Sequence, residues 1–93
     1  MTPQEAAQAL REELDETLAD LAGSNELASV LAVQPPAQIG PDSSFRVAVR
    51  AGTARTVEAM LPSNLAIGYL ADEEAAVDEW RHWVNDLWKR LTA

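Results

Sequence analysis

The chain has 93 residues, 47% of them apolar and 24% charged, which suits one small folded domain and argues against a disordered tail. Seven Lys and Arg against fifteen Asp and Glu leave a net charge of −8, which disfavours direct contact with nucleic-acid phosphates or an anionic membrane. Cysteine is absent, so disulfides, thiolate catalysis and Cys-built zinc sites are excluded.

The opening residues, Met1 to Ala7, have neither the basic nor the apolar region of a secretory signal. The most apolar stretch, Leu65 to Ala71, falls far short of the ~20 residues that a membrane-spanning helix needs. The expectation is a soluble, cytoplasmic protein.

Pro3 to Ala22 carries Leu10, Leu14, Leu18 and Leu21 at spacings of four, four and three, the stripe of an amphipathic helix. Thr2 as N-cap, Pro3 at the first turn and Glu5 three residues after the cap form a capping-box pattern. The opposite face holds Glu5, Glu12 and Glu16, flanked by Glu13 and Asp15. Gly23-Ser24-Asn25 breaks the phase, and Leu27, Val30 and Leu31 then resume a three-and-four spacing, which predicts a second short helix or a kink. Residues 34–44, with three prolines and a glycine, predict a linker.

From Ser44 the period changes to two. Phe45, Val47 and Val49 alternate with Arg46, Ala48 and Arg50, a half-buried strand. Ala51 to Ala54 supplies a turn, and Arg55 to Leu61 returns as its hairpin partner before Pro62-Ser63-Asn64. Leu65 to Leu70 is expected as a third strand, with a helix capped by Ser63 as the alternative. Asp72 to Leu91 predicts the last helix, N-capped by Asp72, with Val77, Trp80, Val84, Leu87 and Leu91 on its core stripe and Lys89 and Arg90 at its negative end.

The whole reads as a single α+β domain over 1–93, in the order α-(α)-β-β-β-α. Its parts are a helical segment at 2–33, the linker, a hairpin plus third strand at 45–70, and the helix at 72–91. Two amphipathic helices are expected to pack on a three-stranded antiparallel sheet. Charge divides along the chain: residues 1–40 carry −6, residues 41–63 carry +1 and residues 64–93 carry −3.

Several sites can be set aside on chemistry. Residues 18–24 have the outline of a helix-turn-helix entry, but no Lys or Arg stands between Ser24 and Phe45 to hold phosphates. The order helix, three strands, helix is similar to that of double-stranded RNA-binding domains. Those need basic residues where this chain has Asp72-Glu73-Glu74. The single histidine, His82, lies opposite Val84 on the helix wheel and has no second ligand. No Gly-rich phosphate loop occurs, and the acids of 72–79 lack the turn glycine of a calcium loop. Enzyme chemistry, a metal and a cofactor are therefore not expected.

What remains is binding. Trp83 lies about 100° off the Val84 direction, at the border of the core face, and Trp is enriched at interface hot spots. The candidate partner surface is Trp83 with Glu5, Glu12, Glu16, Glu73, Glu74, Asp78 and Glu79. Arg46, Arg50 and Arg55 form a secondary basic patch. The expectation is an acidic protein-binding module facing a basic protein surface, in the class of small phage or mobile-element inhibitors that imitate nucleic acid, such as anti-CRISPR and anti-restriction proteins. The alternative is an accessory or chaperone-like subunit whose helix stripes, Ala7-Leu10-Leu14-Thr17-Leu21 and Val77-Trp80-Val84-Leu87-Leu91, serve docking or a homodimer in place of a monomer.

Overall fold

In the computed structural model, which describes residues 1–23, 28–52 and 55–92, three strands and three helices follow in the order α1 (Pro3–Ala22), β1 (Ala28–Gln34), β2 (Ser44–Ala51), β3 (Arg55–Pro62), α2 (Ser63–Leu70) and α3 (Glu74–Thr92). The α+β class and the three-stranded antiparallel sheet are as expected. The sheet order is β1-β2-β3, with β2 at the centre.

Two elements differ from the sequence reading. The short helix expected around 27–31 is strand β1, although Leu27 itself lies outside the described residues. A register shift between Val30 and Ala32 puts an extra residue, Leu31, into β1. Val30 and Val33 both face the core side, opposite Val49 and Val47, yet stand three apart. The bulge thus gives a strand the i, i+3 spacing of a helix.

The third strand expected at 65–70 is helix α2. An apolar run of this length suits a buried strand or a buried helix equally. Here the chain leaves β3 at Pro62 and packs into the helical layer, where Leu65, Ala66 and Gly68 are buried and Ile67, Tyr69 and Leu70 half-buried. Residues 35–43 join β1 to β2 with neither helix nor strand.

Asp72 is not the N-cap of α3. It adopts a left-handed φ of 61° and closes α2 in a Schellman turn, with Glu73 N–H donating to Gly68 C=O at 3.0 Å and Asp72 N–H to Tyr69 C=O at 3.0 Å. Aspartate tolerates this conformation better than most residues. The predicted capping box of α1 is present: Glu5 N–H donates to Thr2 Oγ1 and Thr2 N–H to Glu5 Oε1, both at 3.1 Å.

The core lies between the sheet and the helices. Leu10, Leu14 and Leu18 of α1, Phe45, Val47, Val49 and Leu61 of the sheet, and Trp80, Val84, Leu87 and Leu91 of α3 are all buried. Leu21, in the last turn of α1, is 39% exposed, and Trp88 is half-buried. On the other sheet face Arg46, Arg50, Thr56, Glu58 and Met60 are exposed. Ser63, buried at the start of α2, ties the β1–β2 connection down. Its hydroxyl lies 2.7 Å from that of Ser43, and its N–H donates to Ser43 C=O at 3.0 Å. No helix among the described residues is long and apolar enough to cross a membrane.

Candidate protein-docking surface

Helix α1 turns its acids in three directions. At ~100° per residue, Glu5, Glu12 and Glu16 fall within about 40° of one another, opposite the buried leucines, and all three are exposed. Asp15 points toward β1, where Oδ1 accepts from Val30 N–H at 3.4 Å. Glu13 points toward α2, where Oε2 accepts from the Tyr69 hydroxyl at 2.9 Å. Among the described residues, Glu5 is the member of this row that hydrogen-bonds to the fold. The Thr2 backbone and hydroxyl hydrogen bonds of the capping box hold that carboxyl below its usual range.

The acids at and just before the start of α3 are also on the surface. Glu73, Glu74, Asp78 and Glu79 are all exposed. Asp78 pairs with Arg81 at 3.9 Å, so this part of the surface is mixed in sign where the α1 row is not.

Tyr69 joins the two regions. Burial, the bond to Glu13, and the negative charges of Glu13, Glu16 and Asp72 push its hydroxyl up from 10.0 to about 12. Glu13 of α1 thus meets the α2 phenol, 56 residues away in the chain, on the side where Asp72 of the α2–α3 turn also stands. An open cleft of about 360 Å³ beside it is lined by Glu13, Tyr69, Leu70, Asp72 and Val77. Sequence reasoning missed Tyr69 and Asp72 in this role, because no local signal announces a contact between α1 and α2.

Trp83 does not belong to this acidic surface. It is half-buried, its ring stacks on Trp80 with centroids 6.0 Å apart, and its indole N–H donates to Met60 C=O in β3 at 3.1 Å. Trp80 in turn stacks on Tyr69 at 4.1 Å. The three rings form a ladder from α2 across α3 to the edge of the sheet, and Trp83 ends it as a packing residue.

Arg46 and Arg50 are exposed on the sheet face away from the helices. Their cross-strand neighbours are Gln34 and Met60, and Ser29 and Thr56, none of them acidic. The backbone of Arg55 pairs with Ala51, while its side chain lies outside the described residues. The basic patch and the acidic row therefore occupy opposite faces of the molecule. His82 is exposed, and no group of three His, Asp or Glu among the described residues is placed to hold a metal ion. Comparison with family models, curated proteins and solved structures finds no match.

Proposed function

We propose that this chain is a non-enzymatic binding module whose acidic helical layer docks on a basic protein surface of the kind that otherwise holds nucleic-acid phosphates, so that it acts as a small inhibitor or decoy. The observation that carries this reading is the exposed acid surface of the helical layer. Glu5, Glu12 and Glu16 of α1 are exposed in one row, Glu13 and Asp72 line one cleft with Tyr69, and Glu73, Glu74, Asp78 and Glu79 are exposed as well. Carboxylates about 6 Å apart on a helix, as at Glu12 and Glu16, repeat negative charge along a rigid rod. Such a row attracts a cationic groove at long range and gives salt-sensitive association.

The accessory-subunit reading is less well supported. The helix stripes it would use for docking or dimerisation are spent inside the chain, with Leu10, Leu14, Trp80, Val84, Leu87 and Leu91 all buried.

The test is an affinity pull-down from a lysate of the source or its host, eluted by a salt gradient, with Glu5, Glu12 and Glu16→Gln as the comparison variant. Glutamine at position 5 preserves the capping box. The expected result is a basic nucleic-acid-processing protein released at moderate salt and not retained by the variant. Equal recovery by both chains refutes the reading.

A further inference from the structure

Both outer strands of the sheet have edge groups occupied by helix side chains. On β1, Val30 N–H donates to Asp15 Oδ1 at 3.4 Å and Val30 C=O accepts from Arg11 Nη2 at 3.3 Å, both from α1. On β3, Glu58 C=O accepts from Arg90 Nη2 at 2.9 Å and Met60 C=O from Trp83 Nε1 at 3.1 Å, both from α3. Alternate residues of an antiparallel strand direct their backbone groups to one side, so Glu58 and Met60 mark the side of β3 away from β2.

The two edges do not carry the same risk. β1 is interrupted by its bulge, which by itself discourages pairing with another chain. β3 has no such interruption: all eight of its residues, Arg55 to Pro62, are in continuous register with β2. Its edge carries one acid, Glu58, beside Met60, which is 54% exposed. A regular strand with unpaired carbonyls is a template for a second strand. The shorter pair of bonds lies on this more vulnerable edge.

We infer that Trp83 and Arg90 are edge guards that mask a latent strand-pairing surface on β3, and that the occupant they exclude is a second copy of this chain. Unmasked, β3 pairs antiparallel with β3 of the second copy about a two-fold axis, giving one continuous sheet. This assigns Trp83 a role distinct from contact with an outside partner, and it holds whatever the acidic layer binds.

The experiment measures oligomeric state by sedimentation velocity, from micromolar to about 1 mM chain, a range that captures weak association. The chains are the wild type, Arg90→Ala, and Trp83→Leu/Arg90→Ala, with folding verified by cooperative melting. The wild type is expected to stay monomeric. The double variant is expected to dimerise, with slowed hydrogen exchange at β3 amides in the dimer. Arg90→Ala lies outside the core and is expected to dimerise at higher concentration than the double variant. Adding Glu58→Pro removes an outward N–H and is tolerated on an edge, so it is expected to return the double variant to monomer. A wild type already paired through β3, folded variants that remain monomeric, or a dimer indifferent to Glu58→Pro would each overturn the inference. If the double variant does not fold, Arg90→Ala decides alone: a dimer supports the guards, and a monomer across the range overturns them.

Discussion

Trp80 is the residue on which the helical layer turns. It is 2% exposed and stacked between Tyr69 and Trp83, and among the described residues its buried indole nitrogen has no hydrogen-bond partner. Trp80→Ala is expected to destabilise by ~3–5 kcal/mol in chemical denaturation, through lost transfer energy and the cavity left behind. Trp80→Phe should cost clearly less, because it keeps an aromatic ring and removes an unsatisfied donor whose burial costs ~1–3 kcal/mol. Equal losses would mean that the N–H is satisfied.

Tyr69 makes the second residue-scale prediction. Its folded hydroxyl titrates near 12, above the ordinary 10.0. A group whose folded pKa is raised contributes stability that is complete below the unfolded value and is lost as pH rises through the folded one. The Tyr69 contribution should therefore disappear between about pH 10 and about pH 12, and Tyr69→Phe should flatten that part of the stability profile. As the chain has a single Tyr, tyrosinate absorbance reads the titration directly.

At the scale of elements, α2 and α3 pack as closely as they do because of Gly68. A Cβ there would stand 2.8 Å from Ala76 Cβ and 2.8 Å from Glu73 Oε2. The Glu73 side chain can swing away, but Ala76 Cβ moves only with the α3 backbone. Gly68→Ala gains up to ~1 kcal/mol of helix propensity and loses ~1–3 kcal/mol to overpacking. A lower thermal midpoint is the expected result, and a higher one would show that the helices separate without strain. The same scale shows where the sequence was legible. The limits of α1, its capping box and the β2–β3 hairpin follow from short-range patterns that the structure keeps. At β1 the bulge at Leu31 disguised a strand as a helix, and at α2 the apolar run suited either state until its neighbours were known.

For the whole molecule, charge sets the behaviour. The exposed carboxylates of α1 and of the start of α3 repel one another in a chain of net charge −8. Self-repulsion opposes the compact state and is screened by salt within about 10 Å at 0.1 M. The melting temperature is expected to rise with sodium chloride. The rise should be smaller in the Glu5, Glu12 and Glu16→Gln variant, which removes the densest row. An unchanged salt slope would mean that the row is too well hydrated to matter.

The sequence by itself determined the α+β class, the two long helices, the central hairpin and the surface position of every acid proposed for docking. Those features rest on periodicity and capping, which act within a few residues. Only the tertiary structure decided that residues 28–34 complete the sheet, that Asp72 closes α2, and that Trp83 faces β3. It also decided that Glu13 meets Tyr69 beside Asp72. Each of these depends on groups far apart in the chain, brought together by burial of one shared core, and no local pattern encodes such a meeting.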